Sequence, residues 1–117
     1  MKEKTLKLIG FKNEPIHVSS DQVVYLRGDR EYSHIHLNDG RVLVSGYDLK
    51  RHESLLPQFW RISKGYLVNP DYIKYFNVGG GVSRLNGYIK LKNGMHFDVA
   101  RRRVGDTFVR VLFSKTR

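Results

Sequence analysis

Three dipeptides, Asp39-Gly40, Asn86-Gly87 and Asn93-Gly94, constrain the fold of this chain more than any other feature. A two-residue hairpin turn wants positive φ at both central positions, which Asn, Asp and Gly tolerate best. Each dipeptide sits between runs of strand type. Tyr32–Leu37, where Ser33, Ile35 and Leu37 alternate with Tyr32, His34 and His36, precedes the first, and Val42-Leu43-Val44 follows it. Val82-Ser83-Arg84-Leu85 and Tyr88-Ile89-Lys90-Leu91 flank the second, and Met95–Val99 follows the third. Three such turns at short spacing imply an antiparallel meander and argue against strand–helix–strand units.

Further strands are expected at Ile16-His17-Val18 and Val23-Val24-Tyr25-Leu26, and Gly79-Gly80-Gly81 reads as a flexible hairpin tip. Residues 1–14, Lys-rich and weakly patterned, read as a partly ordered leader, with one domain over 15–117. Helical signals are confined to two places. Asp48 can cap a short helix running to Leu56, which Pro57 stops. Val104, Phe108, Val111 and Leu112 fall on one face of a C-terminal helix, beside which an extended reading of Phe108–Phe113 stands open.

The 117 residues fit one domain, and the 40% apolar content is enough for a core. With no cysteine, a disulfide scaffold and thiolate metal sites are excluded. No stretch approaches the roughly 20 apolar residues of a membrane span, and no signal-peptide core opens the chain, so a cytoplasmic protein is expected. Charge is more telling. Residues 1–49 carry seven basic and seven acidic side chains, whereas residues 50–117 carry fourteen and four, so all of the +10 net charge lies in the second part. Such asymmetry points to a polyanion, with nucleic acid first and an anionic membrane surface second; a merely solvated basic surface is the bland alternative.

Catalysis finds little support. Ser63-Lys64 and Ser83-Arg84 lie in no nucleophile-elbow pattern, carboxylates are scarce after residue 49, and no glycine-rich loop leads into a helix with Lys-Ser/Thr. No cofactor is implied. His34 and His36 share a strand face, but further metal ligands are missing, and a pair of surface histidines is the better reading. Two stretches remain. In Phe59-Trp60-Arg61-Ile62-Ser63-Lys64-Gly65-Tyr66-Leu67-Val68-Asn69-Pro70, Phe59, Trp60, Leu67 and Val68 suit a core, leaving Arg61, Ser63 and Lys64 for a ligand. Arg101-Arg102-Arg103 follows a strand, and three consecutive guanidiniums cannot all face one way. Arg is both a bidentate reader of guanine and a phosphate clamp.

The order of these motifs resembles the LytTR DNA-binding domain, the output module of many bacterial response regulators. The resemblance rests on Val24-Tyr25-Leu26, Leu37-Asn38-Asp39-Gly40, Leu49 to Leu56, Phe59-Trp60-Arg61, Leu67-Val68-Asn69-Pro70-Asp71-Tyr72-Ile73 and Val99-Ala100-Arg101-Arg102-Arg103. It covers roughly residues 15–112. Departures are Leu26-Arg27 in place of a common acidic residue, Ser63 for a frequent His, and Ala100 for the Ser of the arginine corner.

The resemblance implies a mostly-β fold of ten short antiparallel strands in three small sheets, with loops rather than a helix entering successive major grooves. It implies base or near-base contacts from Tyr32, Lys64 and Arg102, and phosphate contacts from Arg30, Arg61, Ser63, Arg101 and Arg103. It further implies a bacterial transcription regulator acting on double-stranded promoter DNA at repeated half-sites, with a homodimer on DNA, and either a stand-alone regulator or the output part of a longer chain with a receiver domain or sensor partner outside these 117 residues. Two rivals of other classes stand beside it. One is an RNA- or single-strand-binding β module stacking bases on Tyr32, Tyr66, Tyr88 and Phe97. The other is an adaptor whose basic half meets an acidic protein.

Overall fold

The structure, a computed structural model, describes residues 5–9, 15–79, 86–100 and 103–104. In chain order these form β1 (Thr5–Ile9), β2 (Pro15–Ser19), β3 (Val23–Asp29), β4 (Tyr32–Leu37), β5 (Val42–Ser45), α1 (Leu49–Leu55), β6 (Trp60–Ser63), β7 (Tyr66–Val68), β8 (Ile73–Gly79), β9 (Asn86–Leu91) and β10 (His96–Val99). Single 3-10 turns at Ser20–Gln22 and Pro70–Tyr72 precede β3 and β8. The described strands pair antiparallel in three sheets, β1-β2, β5-β4-β3-β7-β6 and β10-β9-β8. A mostly-β fold of short strands in three small sheets with one short internal helix is therefore the observed architecture.

The five-stranded sheet is the frame, and it is covered on two sides. In β4 the alternation read from the sequence is realised: Ser33, Ile35 and Leu37 are buried, while Tyr32, His34 and His36 are half-buried on the opposite face. Ile35 and Leu37 pack with Val18, Val23, Leu26, Phe59 and Leu67 under α1, and Leu49 of α1 with Leu56, its C-cap, closes this first core. The second core lies between the other face of β3-β7-β6 and the three-stranded sheet. It is built from Tyr25, Trp60, Ile62, Val68, Ile89, Leu91 and Phe97. β3 is covered on both faces, so four consecutive residues are buried, and a register shift between Val23 and Tyr25 puts Val24 and Tyr25 together in the second core while Val23 and Leu26 serve the first. Phe59, Trp60, Leu67 and Val68 are all core, as expected.

Helix α1 begins where expected, with the Asp48 carboxylate accepting the Arg51 N–H at 2.8 Å. At seven residues it is too short to hold itself together. Leu49, His52 and Leu56 secure it, joined by a buried polar link in which the His52 Nε2 and Ser45 Oγ are 2.8 Å apart.

Five elements differ from expectation. The Asp39-Gly40 turn has three residues, Asn38-Asp39-Gly40, closed by the Leu37 N–H on the Arg41 carbonyl at 2.9 Å. Only Gly40 of the three takes positive φ, 91°, and Asp39 instead accepts the Arg41 N–H on its side chain. Lys92-Asn93-Gly94 repeats this geometry, with Gly94 at 93° and Asn93 accepting from Met95. Asn86-Gly87 is no turn. Both residues open β9, opposite Gly79 and Val78. Gly87 is small for packing, because a Cβ there would lie 3.1 Å from Phe76 and 3.3 Å from Val104. β8, unread in the sequence, is the partner of β9. Finally, Thr5–Ile9 of the expected leader is a strand, paired along its length with β2. Val82–Leu85, Gly80-Gly81 and the expected C-terminal helix after Val104 lie outside the described residues. Among the described residues no helix is long and apolar enough to cross a membrane.

Candidate nucleic-acid interface

Antiparallel pairing decides which loops meet. β3 and β4 are joined by the two-residue turn Arg30-Glu31, because Asp29 lies opposite Tyr32. β6 and β7 are joined by Lys64-Gly65, because Ser63 lies opposite Tyr66. β7 runs against β3 with Tyr66 opposite Arg27, which brings the second turn to the same end of the sheet as the first. The Gly28 N–H donates to the Gly65 carbonyl at 2.9 Å and locks the two together. The end of β10 reaches the same place, with the Ala100 N–H donating to the Ile62 carbonyl at 2.7 Å. The first turn, the second turn and the end of β10 at Ala100 therefore stand in a row at one end of the five-stranded sheet. Two strand spacings, roughly 10 Å, separate neighbouring hairpins.

Between the two turns and the start of α1 lies an open depression of about 440 Å³, lined by Arg30, Lys50, Lys64, Arg61 and Asp48 among others. Arg30, Lys50 and Lys64 are exposed, and the ion pairs among the described residues involve none of them. The nearby carboxylates are mostly occupied. Asp48 caps α1, Glu53 holds Arg61 at 2.8 Å, and Asp29 lies 3.0 Å from the His34 Nε2, whose hydrogen bond lowers the carboxyl's pKa. Glu31 is exposed at the tip of the first turn. The balance favours an anion over a cation here.

The expected contact residues are placed differently from one another. Lys64 crowns the second turn and Arg30 the first, where its backbone sits at φ 56° in the left-handed region. Tyr32 opens β4, half-buried, on the face carrying His34 and His36 and away from α1. Ser63 accepts the Gly65 N–H at 3.3 Å and shapes the turn. The guanidinium of Arg61 is turned inward. It donates to the carbonyls of Ser63 and Lys64, both at 2.7 Å, as well as to Glu53, and the side chain is only 12% exposed. Arg103 is half-buried and directs Nη1 at the Arg61 carbonyl, 3.4 Å away. Arg101 and Arg102 lie outside the described residues. Lys50 was not anticipated. Its signal was its place beside buried Leu49 in the first turn of α1, which forces it outward.

Alternative chemistry has less to work with. No group of three His, Cys, Asp or Glu among the described residues could hold a metal ion. His34 is engaged with Asp29, and the His36 ring stacks on Tyr25 at 4.1 Å, where burial and the nearby Arg27 lower its pKa. Of the four aromatics proposed as a stacking platform, Tyr66 and Phe97 pack together and Tyr88 lies apart from them. Phe97 is buried against Tyr25 and Tyr66, with centroids 4.9 and 4.7 Å away, while Tyr88 lies between Tyr75 and His96 on the outer face of the three-stranded sheet.

Comparison with known proteins bears on the family and the fold. The family profile of the LytTr DNA-binding domain matches residues 13–108. A solved LytTr DNA-binding domain from a Bacillus cereus response regulator superposes with a TM-score of 0.68 at 21% identity, over 96% of this chain and 98% of that one. No curated protein sequence matches the chain at a significant level. The profile spans most of the chain and the fold is shared, so this protein belongs to the LytTR family of DNA-binding domains.

Proposed function

We propose that this chain recognises specific sequences in double-stranded promoter DNA by laying its row of loop segments along the duplex, with side chains entering successive major grooves. The observation that carries this reading is the convergence of the Arg30 turn, the Lys64 turn and the end of β10 at one end of one sheet, around a depression lined by Arg30, Lys50 and Lys64, which make no ion pair among the described residues. Phosphate contacts set affinity and register, while a few side chains specify sequence. Lys64 and Arg102 are the base readers, with Tyr32 beside the first turn as the third. Arg30, Lys50, Ser63, Arg101 and Arg103 serve the backbone. Two copies acting at paired half-sites, and control by a receiver or sensor partner, complete the reading as a bacterial regulator working where the chromosome is.

The test is selection of bound duplexes from a random pool. Recognition at half-sites yields an enriched, repeated motif, and failure to enrich any motif refutes it. On the selected duplex, Arg102→Ala costs about 1–3 kcal/mol and relaxes one base position.

A further inference from the structure

The inward turn of Arg61 has a consequence for how the Lys64 turn meets its ligand. A two-residue turn at a sheet end exposes its backbone carbonyls, and a carbonyl oxygen facing a polyanion is repelled by it. Here every carbonyl of the turn accepts a hydrogen bond from within the protein. Ser63 and Lys64 give theirs to one guanidinium, at Nε and Nη2, and Gly65 gives its own to the Gly28 N–H. The third arm of that guanidinium, Nη1, is fixed by Glu53 of α1. Arg61 also sits beside the register irregularity of β6, where the strand needs an external brace.

We propose that Arg61, held by Glu53, is the positioning residue of the DNA-reading turn: it fixes the peptides on both sides of Lys64 and withdraws their carbonyls from the phosphates, without itself touching DNA. This rests on the DNA-binding reading above. Fork geometry is essential to it. Arg presents donors in fixed directions to two carbonyls and a carboxylate at once, whereas the point charge of Lys cannot. A link to the arginine corner follows, since the Arg61 carbonyl receives Nη1 of Arg103.

The salt dependence of affinity separates positioning from contact, because each phosphate neutralised by a cation contributes about −0.9 to the slope of log K against log salt. Arg61→Lys, Arg61→Gln and Glu53→Gln are to be titrated with the duplex selected by the wild-type protein, beside Lys64→Ala, and amide hydrogen exchange of Lys64 and Gly65 is to be followed without DNA. The Arg61 variants should bind roughly 10–100-fold more weakly with an unchanged slope, and their specificity should relax at the same base position as in Lys64→Ala. Exchange at the turn should quicken in both. Glu53→Gln keeps the fold by leaving the two carbonyl bonds intact, and should show the same pattern at several-fold amplitude; it decides the matter if the Arg61 variants do not fold. A slope shallower by about 0.9 with equal loss on every sequence would make Arg61 a phosphate contact and overturn the proposal. Wild-type affinity in folded variants would overturn it too. A wild-type protein that selects no duplex refutes the DNA-binding reading itself, a separate outcome.

Discussion

At Arg30 the backbone carries a conformation that costs an L-residue about 1–2 kcal/mol and glycine little. A long cation kept there at the tip of a hairpin is easier to understand as a contact than as a stabiliser. Arg30→Gly should leave stability unchanged or raise it by up to about 1 kcal/mol, measured by denaturant unfolding, while weakening DNA binding. Equal affinity would remove Arg30 from the interface. His52 poses the opposite case, a buried ring with no part in binding. Its burial lowers its pKa from 6.5 to about 4, so the folded state binds fewer protons than the unfolded one. Its contribution to stability is complete above pH 6.5 and is lost as pH falls from there towards 4. Between pH 7.5 and 5 the wild-type protein should lose about 2 kcal/mol more than His52→Gln does in paired unfolding experiments. Parallel pH profiles would show that His52 is not the group that titrates.

Among the elements, the most economical joint is Asn69. Its side chain donates to the Val23 carbonyl at 2.9 Å and accepts the Asp71 N–H at 3.0 Å, while its own N–H bonds the Val24 carbonyl. One residue thus ends β7, starts the turn into β8 and fastens both to β3. Asn69→Ala leaves the buried Val23 carbonyl short of a partner and should destabilise by about 2–3 kcal/mol, read from thermal or denaturant unfolding. Gly87→Ala tests the contact between the strands of the smaller sheet and Val104. A Cβ 3.1 Å from Phe76 overpacks the second core, and a loss of about 1–3 kcal/mol is expected. These positions also show what the sequence could convey. The period-two burial of β4, the cap of α1 and the core aromatics were legible because each follows from local chemistry. Asn86-Gly87 misled for a physical reason: the same dipeptide serves a left-handed turn or a crowded strand, and only the approach of Phe76 and Val104 decides between them. β8 was missed because Lys74, Tyr75 and Asn77 are exposed on an edge strand, which blurs the alternation that marks a half-buried one.

Across the whole molecule, the sheet order converts distant segments into one surface. The residues at turns 30–31 and 64–65 and at the end of β10 are remote in sequence but share one end of the five-stranded sheet. Charge by segment anticipated the basic second half, yet Arg30 belongs to the neutral first half and reaches the depression beside Lys64 through pairing alone. The roles within the Arg61-Ile62-Ser63-Lys64 stretch were not legible, since nothing in the order of residues says which cation turns inward. That depends on Glu53 and two carbonyls meeting in space. The split of the aromatics, with Tyr66 and Phe97 packed together and Tyr88 on the outer face of the three-stranded sheet, likewise appears only in three dimensions.

The most direct measurement is a titration of the selected duplex, a scrambled duplex and the corresponding single strand across a range of salt concentrations. Sequence-specific duplex recognition predicts at least about 10³-fold preference for the selected duplex over the scrambled one, weaker binding still to the single strand, and a log–log slope of about −3 to −5. Similar affinity for all three, or binding indifferent to salt, would contradict it.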